Sequence, residues 1–149
     1  MIALPGEVRD VAYDQVRTRL YGTTDEKLFQ YDVEAGTLTE ITGRIPADQF
    51  GNRRVFSAAV DPHVVYACGT RNTYSTDTAV VRSTDAGQIW QVLTRGLRFD
   101  NASFGLDGGR EAITLRVHPK TRVLFVGTGC YGLWTFGPPA GSPSNGGTP

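Results

Sequence analysis

Short runs of apolar and small residues, punctuated by Gly, Pro and Asp, recur along the whole chain. No long stretch places apolar residues at i, i+3, i+4 and i+7, and Gly or Pro interrupts most windows of a dozen residues, so helices are not predicted. The period of two wins. Val11-Ala12-Tyr13-Asp14 is followed by Leu20-Tyr21-Gly22-Thr23, Ala59-Val60-Asp61-Pro62 by Val65-Tyr66-Ala67-Cys68-Gly69-Thr70, and Leu115-Arg116-Val117-His118-Pro119 by Leu124-Phe125-Val126-Gly127-Thr128. Each pair predicts two strands around a tight turn, with Pro62 and Pro119 fixing φ at two of the turns.

A third run follows each hairpin: Lys27-Leu28-Phe29-Gln30-Tyr31, Ala79-Val80-Val81-Arg82-Ser83 and Gly132-Leu133-Trp134-Thr135-Phe136. Fourth runs come at Thr37-Leu38-Thr39-Glu40-Ile41 and Ile89-Trp90-Gln91-Val92-Leu93, and the last unit has none. Ile2-Ala3-Leu4 is the candidate to supply that missing outer strand. A repeat of this period is the mark of propellers or arrays, and it predicts an all-β chain of about three four-stranded antiparallel units. The units span residues 7–43, 55–97 and 111–138, together a partial β-propeller over 1–138. The step from turn residue to the glycine that ends the second run is eight, eight and nine, at Gly22, Gly69 and Gly127. In Phe56-Ser57-Ala58-Ala59-Val60 small residues occupy both faces, which suits an inner strand sandwiched between sheets. Residues 139–149, rich in Gly, Pro and Ser, are expected to be a linker or a disordered tail.

Length and composition narrow the picture further. At 149 residues the chain has the size of one domain with a real core. Its 18 glycines and single methionine suit turns and strands. Formal net charge is zero with the signs interspersed, so nothing draws the chain to nucleic acid or to an anionic membrane. No apolar window is long enough for a spanning helix, and Met1-Ile2-Ala3-Leu4-Pro5-Gly6 lacks the features of a signal peptide. Cys68 and Cys130 form no C-x-x-C pair and fall in different units, and both are expected to be small buried residues rather than a disulfide.

One stretch carries a family resemblance. Ser83-Thr84-Asp85-Ala86-Gly87-Gln88-Ile89-Trp90 resembles the Asp-box, or bacterial neuraminidase repeat, Ser-x-Asp-x-Gly-x-Thr-Trp, departing only at Ile89. Its logic is that of a turn: the aspartate accepts N–H groups of its own loop, glycine permits positive φ, and tryptophan packs between sheets. Ser83, Asp85, Gly87 and Trp90 are therefore structural. Asp32-Val33-Glu34-Ala35-Gly36-Thr37-Leu38-Thr39 aligns as a decayed copy with Glu34 at the aspartate position. The Asp-Pro…Val-Tyr-x-x-Gly-Thr pattern also resembles the blades of sortilin-like and xyloglucanase-type propellers, the latter glycoside hydrolase family 74. The resemblance covers most of residues 7 to 136. It implies a ring with more than three blades, closed either by further chain or by association of copies, in a protein of extracellular or periplasmic location.

In such propellers the Asp-box turns lie on one face and ligands usually bind the other, where this chain carries its longest irregular segments: Arg44 to Val55, Arg71 to Thr78 and Arg98 to Glu111. The candidate ligand-binding residues are Arg44, Asp48, Asn52 and Arg54 in the first, Arg71, Tyr74 and Asp77 in the second, and Asp100, Asp107, Arg110 and Glu111 in the third. Tyr74 and Phe104 suit stacking on a sugar ring. Glycoside hydrolysis needs two carboxyl groups about 5 to 9.5 Å apart, and Asp48, Asp77, Asp100, Asp107 and Glu111 are available for it. The alternatives are a non-enzymatic propeller that binds protein, a self-associating fragment, and plain solvation of these loop charges. Arg44-Ile45-Pro46 resembles the Arg-Ile-Pro motif that grips a carboxylate in sialidases. A full unit precedes it, however, and the remaining sialidase arginines and tyrosine nucleophile have no counterpart that the sequence identifies. His63 and His118 have no third ligand spaced to join them, so no metal is predicted. No Gly-x-Ser-x-Gly, P-loop or dinucleotide fingerprint occurs, so no cofactor is predicted.

Overall fold

The computed structural model describes residues 5–24, 27–46, 54–70, 78–93, 112–128 and 132–137. The expected strand at residues 2–4, the tail at 139–149 and Cys130 lie outside them. Sheet 1 is formed by β1 (Val8–Asp14), β2 (Arg19–Thr24), β3 (Leu28–Asp32) and β4 (Thr37–Glu40), paired in that order. Sheet 2 follows the same plan with β5 (Arg54–Asp61), β6 (Val64–Thr70), β7 (Thr78–Ser83) and β8 (Gln91–Val92). Sheet 3 has three strands among the described residues: β9 (Ala112–Val117), β10 (Leu124–Thr128) and β11 (Leu133–Phe136). Every pairing is antiparallel between chain neighbours.

The sheets pack face to face in chain order. Tyr21, Leu28 and Ile41 of the first unit bury against Ala58, Val65, Ala67, Val81 and Trp90 of the second. On the other side of sheet 2, Tyr66, Cys68 and Val80 bury against Leu115, Leu124 and Val126. Strand β5 contacts both β1 and β9, and Ala58 and Ala59 face opposite cores. Small side chains let the innermost strands approach on both sides, as the two-faced pattern of residues 56–60 implied.

Cross-strand register sets the repeat alignment. Taking Asp14, Asp61 and His118 as equivalent turn positions, the residue three before each is Val11, Ala58 and Leu115, and their partners are Gly22, Ala67 and Val126. Gly22 is thus equivalent to Ala67, not to Gly69, and Gly127 matches Cys68. The reason is that the intervening turns differ in length, with Asp14 paired to Arg19, Asp61 to Val64 and Val117 to Leu124. Register follows the ladder and the buried face, not the count through the turn.

The Asp85 turn closes as its residue types dictate. The Asp85 carboxylate accepts the N–H groups of Gln88 at 3.1 Å and Ile89 at 2.9 Å, and the Ser83 hydroxyl accepts that of Gly87 at 2.8 Å while donating to Asp85 at 2.6 Å. Backbone donation by Ile89 is the main cause of an Asp85 pKa below the usual value. Ala86 and Gly87 take φ of 61° and 82°. A Cβ on Gly87 would lie 2.9 Å from Ile41 Cδ1, so a side chain there meets the core as well as an unfavourable φ. Because Gln88 and Ile89 donate into the turn, β8 begins later than expected, at Gln91, and Ile89 is exposed. In the first unit the aspartate role belongs to Asp32, which accepts the Ala35 N–H at 2.9 Å, and not to the exposed Glu34. By the ladders Asp32 is equivalent to Thr84, one residue away from its expected match with Ser83. The Ala35 N–H is also the main cause of a lowered Asp32 pKa.

Cys68 is a free, fully buried thiol whose pKa burial pushes far up. In a Cys130→Ser background, Cys68 is expected to stay inert to a disulfide reagent in the native protein and to react on unfolding in urea. A fast native reaction would show that the sheet 2–sheet 3 core is open.

Candidate functional site

Up-and-down strand order sorts the connections into two ends. The turns after β1, β3, β5, β7 and β9 lie at one end of the sheets, and residues 47–53, 71–77 and 94–111 connect strand ends on the opposite side. Of the predicted ligand-binding residues, Asp48, Asn52, Arg71, Tyr74, Asp77, Asp100, Asp107, Arg110 and Glu111 lie outside the described residues. Arg54 opens β5 and is described in its backbone alone.

Arg44 is placed. It ends a 3-10 turn, Thr42–Arg44, held by the Arg44 N–H donating to Ile41 O at 3.0 Å and by the Thr42 hydroxyl, which accepts the Leu28 N–H at 2.8 Å. Ile41 and Ile45, both in the sheet 1–sheet 2 core, anchor the turn from either side. The Arg44 Nη1 is buried and has no hydrogen-bond partner among the described residues. A guanidinium nitrogen left in that state has donor capacity to give to an acceptor.

A second polar group, absent from the sequence reading, joins the three innermost strands. Ser57 on β5 donates to Asp10 Oδ2 on β1 and accepts the Leu115 N–H of β9 at 3.0 Å. Arg116 Nη1 on β9 donates to Asp10 Oδ2 at 3.1 Å and to Leu115 O at 2.6 Å. Asp10 and Ser57 occupy matching positions, each four residues before its turn aspartate, and a correct register would have pointed to them. Their role is to tie the sheets.

At the turn end the carboxylates serve structure. Asp14, 1% exposed, accepts the Val16 and Arg17 N–H groups at 3.0 and 3.1 Å and pairs with the Arg17 guanidinium at 3.0 Å. Arg17 then reaches sheet 2, donating to the carbonyls of His63 and Thr84, both at 3.3 Å. Asp61, equally buried, forms an ion pair with Arg122, which also donates to Pro62 O at 3.4 Å. Burial raises the Asp61 pKa despite that arginine, and burial reinforced by Asp61 pushes the Tyr66 phenol up to about 12. A cleft of about 380 Å³ lies beside these groups, lined by Tyr13, Asp14, Asp61 and Arg122 among others. Among the described residues no group of three or more His, Cys, Asp or Glu has the arrangement of a metal site. No helix among them is long and apolar enough to cross a membrane.

No known protein family and no curated protein matches the chain. Solved structures do. Over 95% of its length the chain superposes on the extracellular domain assigned to a one-component system of B. thetaiotaomicron, with a TM-score of 0.64 and 17% identity, and spans 17% of that chain. A structure of an extracellular domain assigned to a hybrid two-component system of the same organism gives 0.63, 15% and the same coverage. Over 96% of its length it superposes on the PQQ-bound aldose sugar dehydrogenase of Streptomyces coelicolor, with a TM-score of 0.58 and 18% identity, and spans 48% of that chain. The chain therefore covers half or less of each. At these identities the likeness is one of fold: the chain is all-β, a set of blades from a partial propeller.

Proposed function

We propose that this chain is an Asp-box-type propeller segment whose loop-bearing end contributes to a glycan-binding cleft of an extracellular or periplasmic protein. The observation that carries the reading is the division of labour between the two ends. The Asp14, Asp61 and Asp85 carboxylates at the turn end are engaged in holding turns and sheets. The long segments rich in Arg, Asp, Asn and aromatic residues join strand ends on the other side, and Arg44, which opens the first of them, has a buried nitrogen without a hydrogen-bond partner among the described residues. Rigid scaffolds with one variable end carry ligands there. One fold neighbour is a sugar dehydrogenase and another an extracellular domain, which supports a sugar ligand and an extracytoplasmic setting.

In this reading Tyr74 stacks on a sugar face, Arg44 and Arg71 donate to hydroxyl or carboxylate oxygens, and Asp77, Asp100, Asp107 and Glu111 accept from hydroxyls. A pair of these carboxylates at hydrolytic separation makes the segment part of a glycoside hydrolase. The competing reading is a propeller scaffold that binds protein.

A glycan array, paired with a hydrolysis screen on β-glucan and sialoside substrates, tests the proposal. Binding to a defined glycan class is expected, weakened about tenfold or more by Tyr74→Ala and unchanged by Glu34→Ala at the turn end. Silence on array and screen alike overturns it in favour of the protein-binding scaffold.

A further inference from the structure

The register that relates the three sheets also shows what each face is built to meet. Val11, Ala58 and Leu115 match, as do Gly22, Ala67 and Val126. In sheets 2 and 3 this face is buried against the preceding sheet, through Ala58, Ala67, Leu115 and Val126. In sheet 1 it is open at Val11, Val8 and Leu38, which are 54%, 47% and 38% exposed, while Phe29 at the groove floor is 4% exposed. With Leu20, Gly22 and Phe29 these residues line an apolar groove of about 240 Å³. The opposite face repeats the pattern. Tyr21, Tyr66 and Phe125 match, and so do Leu28, Val80 and Leu133. The first two of each set are buried against the following sheet, whereas Leu133, on the last sheet, is 64% exposed.

We infer that these faces are the two halves of one sheet-to-sheet contact and that a second copy of this chain supplies each half. The Phe125–Leu133 face of one copy seats in the Val11–Gly22–Leu38 groove of the other, and the reciprocal contact closes a ring. Three observations favour a second copy as the occupant. Both halves are on the same chain, in the register that already packs sheet 1 on sheet 2 and sheet 2 on sheet 3. The groove lining carries no charged side chain, as suits burial under another apolar sheet. The chain spans 48% of the sugar dehydrogenase propeller, so two copies match the length of that fold. Such a contact is heterologous, joining unlike patches, and closes only when the rotation per copy completes the circle. The inference rests on the fold and not on the glycan reading, because it uses none of the loop residues.

Light scattering on the full chain at about 50 µM is expected to give a mass twice the 16.2 kDa of one chain. Leu38→Lys spoils the groove and Leu133→Asp the opposite face, and each alone is expected to weaken the dimer at least about tenfold. An equimolar mixture of the two variants is expected to recover association, since one intact groove then meets one intact partner face. Circular dichroism checks that the variants are folded, and Thr135→Arg replaces Leu133→Asp if the latter is not. A wild-type monomer overturns the inference and leaves these faces to further propeller blades. A dimer sensitive to Leu38→Lys but not to either sheet 3 variant overturns it as well, because it indicates groove-to-groove pairing. A ladder of higher masses overturns closure by two copies.

Discussion

Arg122→Ala is expected to lower the unfolding free energy by about 3 kcal/mol at neutral pH, because it strands a buried carboxylate. Asp61 is 1% exposed, and Arg122 is the cation paired with it across the sheet 2–sheet 3 boundary. Burial already raises the Asp61 pKa above the ordinary carboxylate value, and removing the arginine raises it further. A carboxyl whose folded pKa exceeds its unfolded pKa penalises folding fully at pH above the folded value, and the penalty fades as pH falls towards the unfolded one. The gap between wild type and variant should therefore narrow from pH 7.5 to pH 4.5 in urea unfolding. Asp61→Asn added to Arg122→Ala should recover part of the loss. The lowered Asp32 and Asp85 have the opposite sign, stabilising above the unfolded pKa and losing that contribution as pH falls through the folded one. Both proteins share that acid loss, so it cancels in the comparison. A gap that does not change with pH contradicts the buried-pair account.

Trp90→Ala should cost a similar or larger amount, about 3–5 kcal/mol, with a fall in Tm of roughly 10 °C. Trp90 is 5% exposed and covers Gly87 beside Ile41, where the Asp85 turn meets the sheet 1–sheet 2 core. Its deletion leaves a cavity between two sheets rather than at a surface. Trp90→Phe should recover most of the loss, since the buried indole Nε1 has no hydrogen-bond partner among the described residues. Thermal melts followed by circular dichroism separate the outcomes. Equal losses in the two variants would mean that the indole nitrogen, and not packing, holds the site.

What could be read from the residues alone was what is local. Alternation, Gly and Pro punctuation and the Ser83–Trp90 motif located the hairpins and the turn, because each depends on a few neighbouring residues. The two-faced character of residues 56–60 was legible for the same reason: small side chains on both sides of a strand have few other uses. Register was not legible, since Gly22 and Gly69 look equivalent until the ladders set Gly22 against Val11 and Ala67 against Ala58. Nor was the aspartate of the first unit, because Asp32 and Glu34 both offer a carboxylate and geometry alone chooses Asp32. The Asp10–Ser57–Arg116 tie joins residues 47 and 106 positions apart in the chain. No periodicity encodes that contact. The candidate loop residues, apart from Arg44 and the Arg54 backbone, lie outside the described residues, so their reading stays an expectation from the sequence.

The claim that this end carries the ligand is tested most directly by amide chemical-shift mapping of the full chain, titrated with an oligosaccharide of the class selected on the array. Shifts are predicted at residues 44–54, 71–77 and 98–111, with none at Asp14–Arg17, Pro62–His63 or Thr84–Gln88. Shifts confined to the turn end, or none anywhere at saturating sugar, would contradict it.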